Sequence, residues 1–331
     1  MYFWPTFLSF IPLIVIILII RWLIRKNKKQ RESRPKPIGA FNSEIMDEFS
    51  HWEQTTASNQ DEDLGSLLTK LQNLVGLGKV KNEVKTLING IKVQKMREEQ
   101  GLKQPPMSLH LVFSGNPGTG KTTVARLLAK IYRELGVLSR GHLVEVDRAG
   151  LVAGYIGQTA LKVKEVVGKA MGGILFIDEA YSLTINRGES DFGFEAVDTL
   201  LKLMEDNRDK IIIIVAGYPE LMEQFLLSNP GLKSRFNTFI HFEDYNPQEL
   251  YSIFMEMCNE YSYKLSSEAT AYVQRYFEKM YAQRGTDFAN GRDVRNYFEN
   301  KVMKKQSNRL AADKNVTKDE LLLLEINDCV I

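Results

Sequence analysis

Cysteine and histidine are scarce in this chain of 331 residues, which has two of the first and four of the second. Cys258 and Cys329 stand in unrelated contexts, and His51, His110, His142 and His241 are scattered, so no set has metal-ligand spacing. Neither a zinc module nor a disulfide framework can be read here, and the usage suits a reducing compartment. An excess of one charge is also lacking: 43 Lys+Arg against 41 Asp+Glu leave a formal net charge of +2. With no basic stripe interleaved with aromatics in the globular part, nucleic acid is not an expected partner. Repeats and low-complexity tracts are missing apart from one basic run near the N-terminus. The chain is nevertheless 44% hydrophobic, enough to bury a sizeable core in more than one domain.

What is present is Gly115-Asn116-Pro117-Gly118-Thr119-Gly120-Lys121-Thr122, which fits G-x-x-x-x-G-K-[ST] at every fixed position and directly follows the apolar run 109–113. Glycines let backbone N–H groups turn inward around phosphate oxygens. Lys121 sets its ammonium against the β and γ phosphates, and the Thr122 hydroxyl can ligate Mg²⁺. Thr123 opens a helix, expected over 123–132, whose positive end adds to the anion site. ATP with Mg²⁺ is the expected ligand of residues 115–123.

A second signal is GILFIDE at 173–179: four apolar residues suited to a strand buried on both faces, ending in Asp178 and Glu179. Asp178 can hold the metal's coordination shell, commonly through water, and Glu179 can orient and deprotonate the water that attacks the γ phosphate. The blander reading has the two acids cap the next helix. With the phosphate loop granted, ATP hydrolysis is expected.

Residues 1–20 carry no charge and 13–20 are wholly aliphatic, so the stretch 3–24 is long enough to cross a bilayer. A cleaved signal peptide is the rival, but no basic segment precedes the apolar stretch and no small-residue cleavage site follows. Eight cations lie between Arg21 and Lys36. By the positive-inside rule they put the bulk of the chain in the cytoplasm, as a single-pass membrane protein with its N-terminus outside. The expected organisation is a transmembrane anchor (1–24), a basic juxtamembrane segment and polar linker (25–65), an α/β domain (66–246) and a small helical domain (247–331). Within the linker, Phe41, Ile45, Phe49 and Trp52 recur at helical spacing, suited to packing on the chain's own ATPase domain or on a partner.

From residue 109 strand-like and helix-like segments alternate, the signature of a parallel sheet flanked by helices. Strands are expected at 109–114, 142–146, 174–177, 211–216 and 238–242, with helices at 65–74 and 80–99 ahead of them. After Asn246-Pro247 everything reads helical: 247–261, 266–282, 291–306 and 317–325.

The phosphate loop, the Asp-Glu strand tip and the helical C-terminal part, in this order, resemble the AAA+ ATPases. More narrowly they resemble the CbxX/CfqX family, the branch that includes the stage V sporulation protein K ATPases. LVGLGKVKNEV from Leu74, GYIGQTA from Gly154, LFIDEAYSL from Leu175, VAGYP from Val215, NPGLKSRF from Asn229 and NGRDVRN from Asn290 carry the match. The resemblance spans roughly 67–331 and leaves the anchor and linker outside. It implies a P-loop NTPase sheet followed by an all-helical AAA+ lid, working as an oligomeric ring, a homo-hexamer. It implies that Arg235 is an arginine finger reaching a neighbouring subunit's γ phosphate, and that Arg292 is the lid arginine that senses that phosphate. Val75, Gly76 and Leu77 match the loop that lines the adenine. Where many AAA+ proteins end the fourth strand with a polar Asn, this chain has Ala216-Gly217-Tyr218, and the Tyr218 hydroxyl is a candidate substitute. Tyr155-Ile156-Gly157 matches the aromatic pore loop of threading members, with a surface turn as the plainer alternative.

Two functions follow as expectations. One is a membrane-anchored ATPase that remodels or unfolds a protein client. The other is an ATP-dependent switch or assembly scaffold that does not thread its partner.

Overall fold

The computed structural model describes residues 62–331 apart from 104–106, 156, 186–190, 286 and 313–314. The expected anchor, basic segment, linker helix and Ile156 lie outside the described residues. Among those described, no helix is long and apolar enough to cross a membrane.

The first helix, α1 (Leu64–Asn73), starts two residues before the expected domain edge, because the Asp63 carboxylate caps it by accepting from Ser66 N at 2.9 Å. Its neighbour Glu62 is paired with Lys70 and Lys130, which ties the start of the domain down. After the break at 74–77 comes α2 (Gly78–Glu99), then β1 (Leu111–Gly115) and α3 (Lys121–Glu134). The chain continues through β2 (Leu143–Val146), a single turn α4 (Arg148–Leu151), α5 (Gln158–Ala170) and β3 (Ile174–Ile177). A 3₁₀ turn (Ala180–Leu183) leads to α6 (Gly193–Asp206), β4 (Ile212–Gly217), α7 (Pro219–Leu227), α8 (Pro230–Arg235) and β5 (Thr238–Phe242).

The five strands form one parallel sheet in the order β2-β3-β4-β1-β5. β3 and β4 are buried at every position and rich in Ile and Val, as central parallel strands covered on both faces must be. One face packs Phe113, Phe176 and Ile214 against α1, α2 and α3, and the other packs Val112, Leu175, Ile213 and Val215 against α5, α6 and α7. Because β1 sits between β4 and β5, the chain leaves it in one direction to build β2 and returns on its other side with β5. That reversal opens a crevice at the C-terminal strand ends.

The lid begins with α9 (Pro247–Glu260), entered through a capping box: Asn246 accepts from Glu249 N at 2.9 Å and Glu249 accepts from Asn246 N at 2.8 Å. It continues with β6 (Lys264–Leu265), α10 (Ser267–Ala282), α11 (Gly291–Tyr297), a π segment (Phe298–Val302), α12 (Met303–Ala311), α13 (Lys318–Leu322), β7 (Leu323–Leu324) and α14 (Ile326–Cys329). Two expectations are corrected here. The helix expected to end near 306 runs on to Ala311, since buried Gln306 anchors it to the Leu321 and Leu323 carbonyls and Arg309 pairs with Asp328 at 2.7 Å. The lid is also not wholly helical: the segment 317–325 leaves its helix at Leu322, and Leu323–Leu324 pairs in parallel with Lys264–Leu265. A long-range strand of two residues has no periodicity of its own to read.

Candidate nucleotide site

A cleft of about 640 Å³ lies between the C-terminal strand ends and the lid. It gathers Val75, Leu77, Gly115, Pro117, Gly118, Gly120, Lys121, Thr122, Thr123, Asp178, Glu179, Gly217, Tyr218 and Arg292, residues from five separate stretches of sequence. The loop between β1 and α3 supplies the floor. At Gly118 (φ +70°) a Cβ would overlap the Ala289 carbonyl and lie 2.8 Å from Arg292 N, so only glycine lets the lid hinge approach this closely. Lys121 bends back over the loop, its ammonium donating to the Gly115 and Asn116 carbonyls at 2.8 Å each. Burial is the main reason its pKa falls below the ordinary lysine value, with Arg292 adding to it while Asp178 and Glu179 oppose it.

Asp178 and Glu179 stand at the tip of β3. Asp178 N donates to Val146 O at 2.8 Å, and the Asp178 carboxylate accepts from Glu179 N at 3.0 Å. Glu179 is held in the left-handed region (φ 47°, ψ 42°), a conformation a non-glycine residue keeps at some cost and one that clusters at functional sites. Its side chain stays exposed at the cleft. Facing it, Tyr181 and Tyr218 have ring centroids 6.2 Å apart, and burial, helped by Glu179, pushes the Tyr181 phenol up to about 12. Thr122 Oγ1 lies 3.4 Å from Glu145 Oε1 on β2, which also holds Arg126 at 2.7 Å.

Three of the expected binding residues are not among those that line the cleft. Asn116 turns from the cleft and gives its amide to Asp244 at 2.9 and 3.1 Å. Thr119 is fully buried and bonds Asn116 O at 2.8 Å, so its side chain braces the loop. Gly76 does not line the cleft but sits against the Glu249 side chain, while its neighbours Val75 and Leu77 do line it.

Arg235 is not in this cleft. It ends α8 and lines a separate hollow of about 900 Å³ beside the N-terminal ends of β1, β4 and β5, with His110, Glu205 and Arg208. It pairs with Glu205 at 3.4 Å, and its buried Nε has no partner. The lid and its entrance add residues that sequence reasoning missed: Tyr245, Ile253, Glu256, Met257, Glu260 and Arg295. Ile253, Glu256, Met257 and Glu260 recur at i, i+3, i+4 and i+7, so one stripe of α9 faces the cleft. Arg295 could have been found from its place one turn after Arg292.

A glycine-rich loop before a helix, a lysine folded over it, two acids at a buried strand tip and a helical cap define a nucleotide-hydrolysing P-loop protein. Residues 111–244 match the ATPase family associated with various cellular activities (AAA), and residues 246–330 match the AAA lid domain. The chain is 46% identical to stage V sporulation protein K of Bacillus subtilis, covering 79% of this chain and 81% of that one. It is 42% identical to the chloroplastic ribulose bisphosphate carboxylase/oxygenase activase of Cyanidioschyzon merolae (78% and 87% covered) and 43% to protein CfxQ of Xanthobacter flavus (75% and 80%). Among solved structures, the FIGL-1 AAA domain in complex with ADP shares the fold, with a TM-score of 0.54 at 16% identity over 78% of this chain and 80% of that one. The chain therefore belongs to the AAA ATPases, with relatives named for stage V sporulation protein K and CfxQ/CbxX, and it binds and hydrolyses ATP.

Proposed function

We propose that this protein is a ring-forming ATPase, a homo-hexamer, that remodels a protein client while residues 1–24 hold it at the membrane with its ATPase domain on the cytoplasmic side. Lys121 and the loop N–H groups bind the phosphates, and Glu179 takes the proton of the attacking water. Thr122 and Asp178 offer oxygen donors that fit Mg²⁺, an ion that needs few protein ligands and when bound neutralises phosphate charge. Val75, Leu77, Ile253 and Met257 line the cleft together and offer apolar walls for a flat base. Arg292 reports phosphate occupancy to the lid. Arg235 acts on the next subunit's nucleotide, a role supported by its place outside its own cleft.

The observation that carries the remodelling reading is Tyr155. It is 73% exposed on the loop before α5, with Leu161 65% exposed on that helix, so two large apolar side chains face solvent with no core role. A relative named as an activase of another enzyme supports a protein client. To test this, clients are trapped on Glu179→Gln in membranes and identified by mass spectrometry, then their processing is measured with Tyr155→Ala. Lost processing at normal ATP turnover supports threading. Unchanged processing removes it in favour of a switch or scaffold. For the anchor, the full chain should resist carbonate extraction, whereas a chain shortened to begin near Glu62, which keeps the Asp63 cap, should be soluble and still hydrolyse ATP. Soluble full-length protein would end the anchor proposal.

A further inference from the structure

A phosphate loop binds anions only when its N–H groups point inward, which obliges its carbonyls to point out and find other partners. Here three consecutive loop carbonyls are taken by the lid or its entrance. Asn290 Nδ2 donates to Pro117 O at 3.3 Å, Gly291 N to Gly118 O at 3.1 Å and the Tyr245 hydroxyl to Thr119 O at 3.2 Å. The centre of this set is Asn290, which is fully buried. Its amide nitrogen also donates to Asp244 Oδ1 at 2.8 Å and its oxygen accepts from Tyr245 N at 2.9 Å. Asp244 in turn holds the loop residue Asn116. Asn290 does all this from φ 51° and ψ −123°, a region that suits glycine and that asparagine seldom occupies. Glycine would satisfy the backbone alone. The side chain is what reaches Pro117, Asp244 and Tyr245.

We propose that Asn290 is a positioning residue for phosphate binding: by fixing the loop carbonyls outward it preorganises the N–H cradle, so that the loop grips a diphosphate only while the lid is seated. Lid movement that separates Asn290 and Gly291 from the loop then loosens the grip on the phosphates. The proposal rests on the 115–123 loop being the phosphate site.

The test measures binding of ADP and AMP to the full-length protein by titration, for the wild type, Asn290→Ala, Asn290→Gly and Lys121→Ala. Asn290→Gly keeps a backbone suited to these angles, so a folded variant is available if the alanine one unfolds. The proposal expects Asn290→Gly to weaken ADP about tenfold, the loss of one or two net hydrogen bonds' worth of preorganisation, while AMP changes less than about twofold. Equal weakening of ADP and AMP would overturn it, as would unchanged ADP binding. Unaltered ADP binding in Lys121→Ala would instead reject the phosphate site itself, a result distinct from either.

Discussion

On the sheet side of the cleft the working groups are charged and sit at a buried apolar strand's end or at the start of α3: Lys121, Asp178 and Glu179. On the lid side the cleft is lined by Ile253 and Met257, with arginines on α11, above a core that is largely aromatic, built on Phe254, Phe277, Tyr297 and Phe298. The sheet side is continuous with the central β-ladder and cannot move without breaking it. The lid joins through Tyr245 and the Asn290 contacts, a few hydrogen bonds that can be exchanged. On the proposed function, chemistry is sited on the sheet wall, and adjustment to the state of the nucleotide on the other.

Substitutions on the two walls should separate these roles. The largest effect is expected from Lys121→Ala, which removes the only ammonium over the loop among the described residues and should abolish ATP binding in a titration. Glu179→Gln on the same wall should keep binding but lower phosphate release by about 10²- to 10⁴-fold, the usual worth of a general base. Near-normal turnover would remove Glu179 from that role. Across the cleft, Ile253→Ala should raise KM for ATP by about tenfold, from ~1–2 kcal/mol of lost apolar contact, and leave kcat nearly unchanged. A fall in kcat instead would mean that the lid wall takes part in the chemical step.

A stability effect, confined to low pH, tests the sheet side at a distance from the cleft. His110 is 5% exposed, accepts from Ile213 N through Nδ1 at 3.0 Å, and is held neutral down to about 4 by burial, with Arg235 contributing. Between about pH 6.5 and 4 the unfolded chain binds a proton that the folded one refuses, so stability falls as pH drops through that window. The wild type should lose up to ~3 kcal/mol more than His110→Asn, which keeps an acceptor that does not titrate. Denaturant midpoints at pH 7 and pH 4 measure this. Identical losses in the two proteins would show that His110 does not titrate in that window.

How much of this was legible in the sequence follows the same division. The loop and the Asp-Glu tip are contiguous, and their chemistry demands fixed residue types, so residues 115–123 and 178–179 could be named from the chain alone. The parallel sheet announced itself through alternating apolar runs, with strand ends off by one or two residues at β1, β2 and β4. Arg235 and Arg292 needed the family resemblance, since a lone arginine carries no pattern. The hinge stayed hidden for a physical reason: Asn290 meets Pro117 across 173 residues and Asp244 across 46, and its partners are largely backbone groups that every residue possesses. The place of the Asn116 side chain stayed hidden for a related cause, because the motif fixes a backbone path and leaves that side chain free to bind Asp244.

The claim that joins both walls is that each cleft is completed by Arg235 of a neighbouring copy. It is tested most directly by mixing Arg235→Ala with Lys121→Ala, two variants each expected to be inactive alone, and measuring phosphate release with co-assembly shown independently. The account predicts recovered activity, because a Lys121→Ala subunit keeps its finger and can serve an Arg235→Ala site that still binds ATP. No recovery in mixed assemblies, or full activity of Arg235→Ala alone, would contradict it.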